Sequence, residues 1–152
     1  MNDWTLEEEK SLAILLSVID IGGYGTKKEV LDNIYEKGYL NLDKHDLQYR
    51  PTLYELNWRN DLAFIRDNLK TYYIDGKTWN EWRITGKGKM AFCGMVYRYL
   101  KELAKPNHRE PLKITKKWYK RVKEIIRKEC PLMKDNIDIV LTPEVSKYID
   151  DL

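Results

Sequence analysis

From Trp58 to Leu69 the apolar residues fall three and four positions apart. Trp58, Leu62, Ile65 and Leu69 stand at i, i+4, i+7 and i+11, within a narrow arc of one helix face. Arg59, Arg66 and Lys70 lie together on one flank of that helix, and Asn60 and Asp67 point away from the core side. After Lys70 the period shortens to two through Thr71, Tyr72, Tyr73 and Ile74. Asp75-Gly76 then supplies turn chemistry, and Glu81 to Ile84 pairs back. Upstream, Thr5-Leu6-Glu7-Glu8 has the form of a capping box and opens a helix to about Ile21. Its inner stripe is Leu12, Leu15, Leu16 and Ile19, and Gly22-Gly23 closes it. Thr26-Lys27-Lys28-Glu29 is a second capping box. Its helix turns Val30, Leu31, Ile34 and Tyr35 inward and stops at Gly38. Tyr39 to Pro51 has little period and reads as a loop with one helical turn near Leu42 to Leu47.

Beyond the ribbon, Thr85 caps a helix with Met90, Phe92, Cys93, Val96, Tyr97 and Leu100 on its apolar side, to about Ala104. Lys105 to Pro111 is the clearest linker in the chain. Thr115 starts a lysine-rich helix to Cys130 with a stripe of Trp118, Val122, Ile125 and Ile126. Ile137 to Leu141 reads as a short strand, and Thr142-Pro143-Glu144 starts a last helix. A helix followed at once by a basic ribbon is the recognition unit of a winged helix-turn-helix. The expected fold is therefore mainly α with a small β-hairpin: a winged helix-turn-helix over residues 1–104, a linker over 105–111 and a basic helical extension over 112–152.

Charge sharpens this picture. The chain of 152 residues is 34% charged with a net charge of +3. Residues 1–75 carry −5, residues 76–134 carry +12, and residues 135–152 carry −4. A basic stretch between acidic ones suits either a polyanion or a solvated lysine-rich helix without a partner. No apolar run reaches the ~18 residues of a membrane span. Glu7, Glu8 and Glu9 precede the first apolar run where a signal peptide would be positive, so a cytoplasmic protein is expected. Cys93 and Cys130 are far apart without metal-ligand spacing, and two reduced thiols are expected. Met1 at the start and a capped helix at the end favour a complete chain over a piece of a longer restriction enzyme.

The pattern Trp58-x-Asn60-Asp61-Leu62-x-Phe64-x-x-x-x-Leu69-Lys70, followed by Trp82-Arg83-Ile84-Thr85-x-x-Gly88, resembles the amino-terminal winged-helix domain of Mrr-type restriction endonucleases. The likeness spans roughly residues 10 to 92 and includes Gly22-Gly23 and Lys27-Lys28-Glu29-Val30. It implies recognition of DNA. Members of that family continue into a nuclease domain, and no part of this chain fits one. Glu8-Glu9-Lys10 has the letters of a nuclease Glu-x-Lys pair, but it sits at a helix start.

Recognition of this kind needs a helix in the major groove, base-reading donors on it and a cationic wing on the backbone. Asn60 suits adenine and Arg59 suits guanine, against a local hydrogen bond for Asn60 and an ion pair with Glu55 for Arg59. Lys77, Trp79 and Arg83 belong to the wing; Trp79 either stacks on a sugar or base or packs under the hairpin, whereas Trp82 belongs to the core. Lys27, Lys28, Lys87 and Lys89 stand at helix starts, where free N–H groups also face a phosphate. With Arg66 and Lys70 they complete the expected contact set.

Enzyme chemistry finds little support. His45 and His108 are lone, Asp43 and Asp46 sit in a loop, and Gly86-Lys87-Gly88-Lys89 is too short to cradle phosphates. The sequence thus points to a non-enzymatic double-stranded DNA-binding protein without cofactor or metal, with no membrane contact. It would act as a transcriptional regulator or as the target-recognition part of a restriction or defence system. The competing expectation is a protein–protein interaction module, including a homodimer built through the carboxy-terminal helix.

Overall fold

A computed structural model describes residues 5–51, 54–69 and 72–151. It is mainly helical with a small antiparallel sheet. Helix α1 (Leu6–Asp20) lies at the centre. Every residue from Ser11 to Val18 is buried, so α1 is covered all round rather than along one stripe, as an inner helix must be. Thr5 caps it by accepting from the Glu8 N–H at 3.0 Å. Gly22 and Gly23, at φ +103° and +98°, turn the chain out of it.

Strand β1 (Tyr24–Gly25) follows, then α2 (Lys27–Lys37). Both bonds of the α2 capping box form: Thr26 Oγ1 accepts from the Glu29 N–H, and the Glu29 carboxylate accepts from the Thr26 N–H. The expected loop after α2 is more ordered than its composition suggests. Asp43 and Asp46 each accept the other's backbone N–H. Strands β2 (Tyr49–Arg50) and β3 (Glu55–Leu56) then form a hairpin. Helix α3 (Asn57–Leu69) starts directly from β3.

Trp58, Leu62, Ile65 and Leu69 are buried, as their spacing requires, and α3 packs on α1. Strands β4 (Ile74–Asp75) and β5 (Trp82–Ile84) form the ribbon, and β5 pairs with β1 on its other side, in the order β1-β5-β4. Its register sets Tyr24 opposite Arg83 and Ile74 opposite Ile84.

The Thr85-x-x-Gly88 spacing has a physical cause. Thr85 caps α4 (Gly86–Leu103) by accepting from the Gly88 N–H at 2.9 Å, while its own N–H and hydroxyl donate to the carbonyls of Tyr73 and Tyr72. This brings the Tyr73 carbonyl so close that a Cβ on residue 88 would lie 2.2 Å from it. Glycine is the residue that fits there.

Residues 112–151 complete the same core rather than standing apart behind a linker. The buried Glu9 carboxylate accepts the backbone N–H groups of Leu112, Lys113 and Ile114 at 2.7–2.8 Å. Leu40 pairs with Ile114, and Lys113 donates to Asp46. Glu9 of the Glu8-Glu9-Lys10 run is thus a structural clamp. In α5 (Lys116–Glu129), Trp118, Val122 and Ile126 are fully buried, and the Trp118 indole donates to the Leu12 carbonyl. The stripe expected to be available for a homodimer is therefore covered within the chain. Arg121 pairs with Asp20 at 2.7 Å, which also accepts from Tyr39 and Asn33.

Two further expectations are corrected. Residues 137–141 are not a strand: α6 (Lys134–Val140) is a helix that buries Ile137 and Val140, and α7 (Pro143–Asp150) follows it. Cys93 and Cys130 are joined in a disulfide, because the packing of α5 on α4 sets their Cα atoms 5.8 Å apart. Among the described residues no helix is long and apolar enough to cross a membrane.

Candidate nucleic-acid interface

Among the described residues the carboxy-terminal helices make their main contacts with α4 and with one another rather than with α3. Asn60 is half-buried and makes no side-chain hydrogen bond among the described residues, so its amide is free to meet a ligand. Phe64, one turn on, is 68% exposed. Asp61 is neutralised by Arg50 at 3.1 Å and Lys10 at 3.9 Å, and so adds less negative charge to this face than the sequence implies.

The two arginines on the flank of α3 are both engaged. Arg59 donates to Asp32 of α2 at 2.9 Å and stacks over the Trp58 ring; its partner is not Glu55. Hydrogen bonds from Lys28 and Arg59 hold the Asp32 carboxyl below the usual carboxylate range. Arg66 is only 12% exposed: it donates to the Glu81 carbonyl at 3.3 Å and lies over the Trp82 ring. Its helical phase turns it onto the base of the ribbon, so it braces the ribbon from beneath. Lys70 lies outside the described residues. Lys27 takes Glu55 at 2.9 Å, and Lys28, largely exposed, pairs with Asp32 one turn along α2.

The ribbon presents the opposite situation. Lys77 is exposed and has no ion-pair partner among the described residues. Trp79 is 90% exposed rather than packed under the hairpin. It sits across a hollow from Thr26 and Glu29 at the start of α2. Asn80 beside it takes φ +58°. Arg83 lies 4.1 Å over the Tyr24 ring and donates twice to Glu81, which raises its pKa. Lys87 is exposed near the Tyr72 ring, and Lys89 pairs with Glu129 at 3.2 Å.

The expected contact set thus divides by environment. Asn60, Lys77, Trp79 and Lys87 reach solvent around α3 and the ribbon without an ion pair among the described residues. Lys28 and Arg83 also reach solvent but hold Asp32 and Glu81. Lys27, Arg59 and Lys89 are tied into ion pairs, and Arg66 lies beneath the ribbon. The arithmetic of the basic stretch also changes. Three of the seven Lys and Arg side chains on α5 are answered by Asp20, Asp150 and Asp138. The expected contact set omits the exposed aromatic residues Tyr49, Tyr54 and Phe64. Phe64 could have been found from its phase, 200° from Leu62 at the helical pitch. Among the described residues no group of three His, Cys, Asp or Glu side chains stands close enough to hold a metal ion. Comparison with known protein families, with curated proteins and with solved structures finds no match to this chain.

Proposed function

We propose that this chain is a non-enzymatic, cytoplasmic, double-stranded DNA-binding protein of the winged helix-turn-helix type. It places α3 in the major groove and rests the β4–β5 ribbon on the adjoining backbone. It acts as a transcriptional regulator or as the target-recognition part of a restriction or defence system. The observation that carries the proposal is the free outer side of α3, with an unengaged Asn60, next to a projecting ribbon with exposed Lys77 and Trp79. The element order α1-β1-α2-β2-β3-α3-β4-β5, in which β1, β5 and β4 form one sheet in the order β1-β5-β4 and β2–β3 is an added hairpin, supports it, since a winged helix places its wing beside the recognition helix in this way. Asn60 reads a base edge, and Lys28, Lys77, Arg83 and Lys87 meet phosphates.

Selection of bound duplexes from a random pool, with and without cytosine methylation, tests the proposal and yields the site. Four phosphate contacts give a log–log salt slope of about −3 to −4. No binding at low salt, or a slope near zero, refutes it.

A second reading is favoured by Phe64, since an exposed phenylalanine on a helix with few free cations also suits a protein partner. Lys77→Glu separates the two: it weakens duplex binding and leaves an apolar protein contact at Phe64 intact.

A further inference from the structure

The hairpin ahead of α3 carries no role in the proposal above, yet it exposes two tyrosines and its base is firmly held. Tyr49 is 69% exposed and Tyr54 90% exposed. Tyr54 also takes φ +50°, the left-handed region that bulky L residues avoid. Such a conformation persists where the surrounding structure fixes it, and it is found disproportionately at functional positions.

The strands that carry it are held in place. Glu55, the next residue, is held by Lys27 of α2 at 2.9 Å. Arg50 on the opposing strand is held by Asp61 of α3 at 3.1 Å. The Asn57 N–H donates to the Gln48 carbonyl at 2.8 Å and closes the base of the hairpin. Two ion pairs to two different helices therefore brace a ribbon whose large aromatic side chain faces solvent.

The second observation is the charge of α3. With Arg59 and Arg66 engaged, that helix offers few free cations of its own. A polyanion laid along it must be gripped from its two ends. The β4–β5 ribbon supplies one end, joined to the carboxy-terminal side of α3 through the Arg66 contact with Glu81. The hairpin supplies the other, running directly into the amino-terminal end. Arg50, Asn60 and Phe64 line one hollow, so the hairpin surface is continuous with the outer side of α3.

We infer that the β2–β3 hairpin is a second duplex-gripping element: Tyr54 packs its ring against a deoxyribose or base in the groove flanking the amino-terminal end of α3, as Trp79 does beyond the other end. The inference rests on the duplex-DNA reading. It adds to that reading a contact that carries affinity without displacing counterions, since the ring is uncharged.

Anisotropy of a labelled duplex from the selected pool, measured at several salt concentrations, tests it with Tyr54→Ala, Tyr54→Phe, Tyr54→Gly and Lys77→Ala. Tyr54→Ala weakens binding about tenfold, the size of a lost stacking contact, and leaves the salt slope unchanged. Tyr54→Phe keeps the ring and stays within about twofold of wild type. Tyr54→Gly binds as weakly as the alanine variant while its melting temperature does not fall, because glycine accepts positive φ freely. Lys77→Ala instead lowers the slope by about 0.9. Binding by Tyr54→Ala within about twofold of wild type overturns the role of the hairpin alone. Failure of the wild-type protein to bind any duplex overturns the duplex reading and this inference together.

Discussion

Replacing Glu9 should destabilise the whole protein, out of proportion to one side chain at the start of a helix. The carboxylate is fully buried and accepts three backbone N–H groups, from Leu112 at 2.8 Å, Lys113 at 2.7 Å and Ile114 at 2.8 Å. Hydrogen bonds to a charged acceptor are each worth about 1.5–3 kcal/mol net, and a buried donor left without a partner costs about 1–3 kcal/mol. The three donors share one acceptor and part of the segment can turn to water, so the terms do not simply add. Glu9→Ala is expected to cost about 4 kcal/mol, a large part of the ~5–15 kcal/mol that holds a domain of this size. Glu9→Gln keeps one carbonyl oxygen for Lys113 and Ile114 but turns an amide N–H towards Leu112; about 2–3 kcal/mol is expected. Urea denaturation followed by tryptophan fluorescence and by far-ultraviolet circular dichroism measures both, with the exposed Glu7→Gln as a control expected within about 0.5 kcal/mol of wild type. The two probes should give one coincident transition, because the clamp joins α1 to the segment that leads into α5. A loss under about 1 kcal/mol for Glu9→Ala would refute the energetic reasoning. A separate early transition would show that residues 112–151 are only loosely coupled to the rest.

The Gly88 contact predicts a pair of effects of opposite sign within α4. Gly88→Ala forces a Cβ to within 2.2 Å of the Tyr73 carbonyl and should cost about 1–3 kcal/mol. Gly94→Ala meets open space and should gain about 0.5–1 kcal/mol, both read from thermal or urea melts. Alkaline titration followed by tyrosinate absorbance should leave four of the eleven tyrosines protonated through the ordinary range. Burial, then hydrogen bonds to Glu110, pushes Tyr148 up to about 12. Burial raises Tyr39, Tyr99 and Tyr119 further, with Asp20 and Glu8 adding to the first two. These folded-state pKa values lie above that of a free phenol. The stability they contribute is therefore complete below about pH 10 and falls as the pH rises towards 12; ordinary titration of all eleven would contradict this. Cys93→Ser opens a loop of separation 37 and should lower stability by about 2–4 kcal/mol in the oxidised protein. The same variant should match the wild type under reducing conditions, the state expected in a cytoplasm; a difference that persists there would place the effect in packing.

Much of this protein follows from short-range pattern. Thr5, Thr26, Thr85, Thr115 and Thr142 each cap the helix they precede, because a capping bond spans three residues and needs no distant partner. The α3 stripe and the order of the first elements were legible for the same reason. What the sequence could not disclose depends on residues that meet only after folding. Arg59 and Arg66 look like free cations in the sequence, and Asp32, twenty-seven positions before the first, together with the Glu81 carbonyl beyond the second, removes them from solvent. The disulfide arises because α5 packs on α4, the clamp on residues 112–114 because a buried carboxylate must find donors, and the brace on the β2–β3 hairpin because α2 and α3 each supply it with an ion pair. Local periodicity placed every longer helix, though not α6; the pairing of buried and charged groups across the fold decided which side chains remain free to meet a ligand.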